Sequence, residues 1–358
     1  MLTCVRHIEE TTSMKRIIRA VVMALLLAPG MLWANDLTQQ FSAGVDAYKA
    51  GEYETAYEIW LPMAEKGHAR AQSQLGFMYD NGRGVAQDHP EALRWYRAAA
   101  EQGIAEAQHN LGNMYEGGEA VTQDYPEAAR WYRAAAEQGF ARAQFNLGFM
   151  YQNGQGVAQD YAEAARWYGA AADQGSAKAQ AFLGFMYSNG QGVAQDYVEA
   201  AGWYRAAAEQ GYAAAQFNLG FMYQNGQGVA QDYAEAARWY QAAAEQGIAE
   251  AQFNLGKLYI NGKGIAQDDV QAVRWYRSAA QQGYADAQHI LGLMYGIGQG
   301  TAQDYPTAYM WLNIAANSGH ANAQVMRDLV SAEITPEAIA QAQRRARICL
   351  ESDYQDCD

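Results

Sequence analysis

Cysteine, proline and positive charge are scarce in this 358-residue chain, and each scarcity excludes something. Three cysteines are too few for a disulfide-dense scaffold. Six prolines argue against a proline-rich or loop-dominated chain. With 25 Lys+Arg against 39 Asp+Glu, the net charge is −14, which disfavours the polyanions, nucleic acid and anionic membrane surfaces, as primary partners. The motifs H-E-x-x-H and G-x-S-x-G are absent, and S-x-x-K lacks its partner motifs, so no enzyme is expected. Gly256 to Lys263 superficially suggests a phosphate loop, but its spacing is off by one and no Ser or Thr follows. Asp80-Asn81-Gly82 lacks the remaining oxygen ligands of a calcium loop. The six histidines are scattered, so neither a metal nor a cofactor is expected.

What is present begins with an address. Met14 to Ala34 reads as a secretory signal: Lys15, Arg16 and Arg19, an apolar run over residues 20–28, Pro29-Gly30, then small Ala34 before Asn35-Asp36. The run is too short to span a bilayer stably, so cleavage after Ala34 and periplasmic or secreted residence are expected, without stable membrane insertion afterwards. The alternative is an uncleaved N-terminal anchor. The residues before Met14 carry two acids and no apolar run, consistent with a mis-assigned start codon.

A repeat dominates the rest. Trp95, Trp131, Trp167, Trp203, Trp239, Trp275 and Trp311 are each 36 residues apart, as are seven glycines from Gly76 to Gly292. Seven units begin at Ala71, Ala107, Ala143, Ala179, Ala215, Ala251 and Ala287. Each reads as two helices. Ala71, Leu75, Met78 and Tyr79 form one apolar stripe at helical period, ended by Asn81-Gly82. After a short loop, Asp88 caps the second helix, with Glu91 three residues on, as in a capping box. Ala92, Trp95, Tyr96 and Ala99 form the next stripe, and Gly103 stops it. The mid-helix glycine should cost roughly 1 kcal/mol against Ala. Its recurrence implies a neighbouring helix, or the Trp ring, lying on that spot. One unit cannot bury its stripe alone, so units must stack into a continuous all-α array.

The pattern A-Q-x-x-L-G-x-M-Y-x-N-G-x-G-V-x-Q-D-x-x-x-A-x-x-W-Y-x-x-A-A-x-x-G over residues 71–322 resembles the Sel1-like repeat family, relatives of the tetratricopeptide repeats. The resemblance implies a right-handed α/α superhelical solenoid of tandem helix-turn-helix repeats whose first helices line a concave groove. It also implies an adaptor that holds protein partners, often in bacterial envelopes. An envelope hydrolase of β-lactamase type, or a glycan- or peptidoglycan-binding module, is the alternative. The β-lactamase-like relatives carry a cysteine pair in each repeat, and no repeat here contains one.

The ends depart from the pattern. Residues 35–70 resemble a leading capping repeat, and residues 323–358 form C-terminal capping helices and an acidic tail. Thr335-Pro336-Glu337 starts the last helix, with Arg344, Arg345 and Arg347 toward its C-terminal end. Cys349 and Cys357 are expected to pair in an oxidising compartment, two free thiols being the alternative.

By helical-wheel angle, the third, fourth and seventh positions of each first helix point away from the core stripe. Phe145, Phe149, Phe217 and Phe221 would floor a groove, and Asn110, Asn146, Asn218 and Asn254 would line it with amides able to pair with an extended peptide. The alternative is that the Phe rings fill seams and the Asn amides cap local backbone. The repeated Trp and Tyr are read as core.

Overall fold

The computed structural model describes residues 37–357. The export signal read at Met14–Ala34 lies outside them. The described residues are helical, with no strand among them, and fall into two compact units divided between Gln159 and Asp160. The first unit holds a helix over 37–49, Tyr53–Glu65, and the pairs Ala69–Asn81 with His89–Glu101 and Ala105–Gly117 with Tyr125–Glu137, ending on Ala141–Asn153. The second opens on Tyr161–Asp173 and runs through four pairs, from Ala177–Asn189 with Tyr197–Glu209 to Ala285–Ile297 with Tyr305–Asn317. Ala321–Ser331 and Pro336–Glu351 complete it.

Helix ends follow local chemistry. Each first helix from Ala69–Asn81 to Ala285–Ile297 stops at a left-handed glycine, such as Gly82 at φ 63°. The preceding Asn81 amide donates to the Phe77 carbonyl. Each second helix starts under an aspartate: Asp88 Oδ1 accepts from the Glu91 amide at 3.0 Å. Only this half of the expected capping box forms. The Asp88 amide donates instead to the Tyr79 carbonyl, and the Glu91 carboxylate pairs with Arg94.

The core is shared between neighbours. Tyr96 and Ala92, Ala99 and Ala100 of one second helix pack on Ala107, Leu111 and Met114 of the next first helix, all buried. The ring over the mid-helix glycine belongs to the tyrosine, not to the tryptophan. A Cβ on Gly112 would lie 2.6 Å from the Tyr132 ring, and one on Gly76 would lie 2.5 Å from Tyr96. Trp and Tyr are sequence neighbours roughly 100° apart around the helix, so only one can reach that spot. The tryptophan lies instead under an arginine, as where the Arg94 guanidinium sits 4.1 Å from the Trp95 ring centroid. Gly202 takes the arginine's place beside Trp203, is exposed, and has open space where its Cβ would be.

At the C-terminal end, Ala342, Ala346 and Cys349 of the last helix cover Tyr309, Met310 and Trp311. Thr335 caps that helix, accepting from the Ala338 amide. Cys349 and Cys357 are disulfide-bonded. Among the described residues no helix is long and apolar enough to cross a membrane.

Two glycine substitutions should have opposite signs. Gly112→Ala drives a methyl into the Tyr132 ring and should destabilise by about 1–3 kcal/mol. Gly202→Ala meets nothing and should stabilise by about 0.5–1 kcal/mol through helix propensity. Urea unfolding of both variants checks this, and equal effects would remove the ring from its assigned place.

Candidate partner-binding face

The third position of the first helix does not face solvent. Ser73, His109, Phe145, Ala181 and His289 are buried, and Phe217 and Phe253 are half-buried. The Phe217 ring packs 5.8 Å from Tyr240, and Phe253 packs 5.6 Å from Tyr276. These rings fill seams between helices, because the neighbouring second helix comes close enough to cover the edge of the stripe. Phe145 and Phe217 therefore belong to the packing, not to a groove floor.

The seventh position is different. Phe185 and Phe221 are 43% and 42% exposed, while Phe149 is half-buried. Phe185 and Phe221 stand one repeat apart and line one open pocket of about 330 Å³ in the second unit, with Asn189, Tyr204, Asn218 and Gln227. Phe185 joins the candidate face on its exposure.

The asparagines divide. In the first unit, Asn146 Nδ2 donates to His109 Nε2 at 3.3 Å and lies 3.4 Å from Asn113 Oδ1. His109 Nδ1 then carries the proton, facing Asn110 Oδ1 at 3.2 Å. Burial pushes the His109 imidazole below its ordinary pKa, which keeps it neutral in this role. Asn110 and Asn146 are thus occupied locally. In the second unit, Asn218 and Asn254 make no hydrogen bond to another described residue, and Asn218 opens into the pocket beside Phe221.

A larger open pocket, of about 640 Å³, was not visible in the sequence. It lies in the first unit, where Phe41, Tyr48 and Trp60 of the leading helices meet Arg70, Gln74 and Glu106. Its signal is spread over the degenerate leading repeat and two full ones. Sequence reasoning also overlooked Asp80, His89 and Glu119, whose ligating atoms lie within 4.8 Å of one another. The expectation of no metal site rested on the spacing of histidines and of one loop.

Comparison with known proteins agrees with the architecture. The Sel1 repeat family profile matches seven consecutive segments, residues 69–104, 105–140, 141–176, 177–212, 213–248, 249–284 and 285–320. A protective antigen present in uropathogenic Escherichia coli strains, displaying an SLR fold, is similar at 36% identity and a TM-score of 0.80, over 89% of this chain and 70% of that one. A Sel1 repeat protein from Oxalobacter formigenes is similar at 35% identity and a TM-score of 0.62, over 83% of this chain and 90% of that one. An exopolysaccharide production negative regulator of Rhizobium leguminosarum bv. viciae is 45% identical over 56 residues, which are 16% of this chain and 21% of the relative. The chain thus matches about a fifth of that regulator's length.

The pocket tyrosine supplies a pH test. Burial pushes Tyr204 up to about 12, opposed by its hydrogen bond with Ser188. Burial also raises Tyr96, Tyr132, Tyr168, Tyr240 and Tyr276. An unfolded tyrosine ionises near pH ~10, so the folded state holds these protons longer. Their contribution is intact below that pH and is lost as pH rises through the folded values. The tyrosinate absorbance of these six rings should therefore appear together with the loss of far-UV helicity, above pH ~10. Ionisation of these rings with helicity intact would contradict their burial.

Proposed function

Because the chain belongs to the Sel1 repeat family, whose members are generally non-catalytic scaffolds for protein–protein contacts, we propose that it is an exported scaffold holding a protein partner on the seventh-position face of its first helices. Export is proposed on the signal-like segment Met14–Ala34, and such a signal would direct the scaffold to the cell envelope or beyond it. One observation carries the binding reading. Phe185 and Phe221, two exposed rings at equivalent repeat positions, flank a pocket beside the unpaired Asn218 amide. Exposed aromatics next to an amide that can both donate and accept suit an extended segment, with apolar side chains on the rings and backbone groups on the amide. The net charge of −14 favours a protein partner over a polyanion.

Cross-linked capture from an intact envelope tests this. Phe185→Ala with Phe221→Ala should reduce recovery of the captured partner by about tenfold or more, the effect of losing aromatic anchors. Glu209→Ala with Glu245→Ala, at exposed ends of second helices, should leave recovery unchanged. The reverse pattern would move the binding face. The scaffold itself, recovered from the envelope, should begin at Asn35, as N-terminal sequencing would show.

A further inference from the structure

The loop between the two helices of a repeat carries two glycines, and the residue between them lies over the start of the preceding second helix. Arg83 places its guanidinium 5.6 Å from the Tyr53 ring, and Lys263 places its ammonium 5.2 Å from the Tyr233 ring. Gln299 donates to the Asp269 carboxylate at 3.2 Å. In each case the two side chains are chemically matched across a repeat junction. At the junction of the first two full repeats the pair is Glu119 over His89, and a third departure from the repeat, Asp80, joins it. Asp80 Oδ1 lies 3.1 Å from His89 Nδ1, and one ligand atom from each of the three residues lies within 4.8 Å of the others.

None of the three is a repeat-consensus residue. His89 stands where Tyr125, Tyr161, Tyr197 and Tyr233 stand in other repeats. Glu119 is the only acid at its loop position, and Ala120 after it takes the place of a glycine while keeping φ at 60°. A left-handed alanine costs about 1–2 kcal/mol, so the loop conformation that holds Glu119 over His89 persists against a local penalty. The Asp80 carboxylate sits in the last turn of its helix, where the helix dipole opposes its charge, and a divalent cation held there relieves that conflict.

We propose that Asp80, His89 and Glu119 form a site for a divalent transition-metal cation of the zinc class. One imidazole nitrogen and two carboxylate oxygens match the donor set such ions take. Ligands around a tetrahedral zinc stand about 3.3 Å apart, given bonds of about 2.0–2.1 Å. The Asp80–His89 pair is already close to that spacing, and rotation of the exposed Glu119 side chain closes the third edge. The fourth position is left for water. Calcium, which takes six to eight oxygens, is disfavoured by the imidazole and by the small donor number. The bound ion ties the second repeat's loop to the first repeat and stiffens that junction.

Calorimetric titration of the tag-free full chain with zinc chloride tests the site, with calcium chloride as the control. Zinc should bind at about one equivalent and protect the 117–122 segment from hydrogen exchange, while calcium does neither. His89→Asn and Glu119→Gln, both at the surface, should each weaken zinc binding at least about tenfold with far-UV helicity unchanged. Absence of zinc binding at millimolar concentration would overturn the proposal. So would binding that both variants retain, since the remaining histidines would then hold the ion.

Discussion

A buried glutamine joins each repeat to the one before it, and the stack depends on that contact. The Gln of the Ala-Gln pair in the first helix of each full repeat, Gln72 to Gln288, is almost wholly inside the protein. Gln216 Nε2 donates to the Ala208 carbonyl at the end of the preceding second helix, at 3.2 Å. Gln246, at the end of its own repeat's second helix, donates to Gln216 Oε1 at 2.7 Å. The same two bonds recur at Gln72, Gln108, Gln180 and Gln252. The first satisfies a helix-terminal carbonyl that packing has cut off from water, and the second satisfies the buried glutamine's own oxygen. A buried amide left unpaired costs about 1–3 kcal/mol, so only one register of neighbouring repeats satisfies both groups. The last full repeat shows the rule by its exception. Ser318 replaces the closing glutamine there, and Gln288 Oε1 is left buried without a partner.

Close approach of the two helices within a repeat is the second constraint. It is met by glycine on the first helix, a flat tyrosine ring against it (Leu312 in the last full repeat), and alanines where backbones converge. These three residue choices fix which face each second helix turns toward the next repeat. The large side chains Leu111 and Met114 then enter the space that the alanines leave.

The period, helix boundaries and caps were readable from the sequence because they are local: Asp88, Gly82 and the Ala-Leu-Met stripe act within a few residues. The ring on the glycine was not, since Trp95 and Tyr96 are equally apolar and differ only in direction. The glutamine ladder was hidden because glutamine is ordinarily a surface residue and its partners lie 8 and 30 residues away. On the candidate face, wheel angle alone placed His109 and Phe145 outward, whereas a neighbouring helix covers them. Phe221, at the seventh position, stayed exposed as the wheel angle predicts. The Asp80, His89 and Glu119 cluster was illegible for a related reason, since it forms only when a loop lies across the preceding repeat.

The most direct test of the stacking account is hydrogen exchange on a Gln216→Leu variant, which keeps the volume and removes both bonds. The account predicts faster amide exchange in Tyr197–Glu209 and Ala213–Asn225, with protection retained in repeats further away, because each repeat contacts only its neighbours. Exchange that is unchanged at that junction would contradict it, and so would exchange accelerated equally along the whole chain.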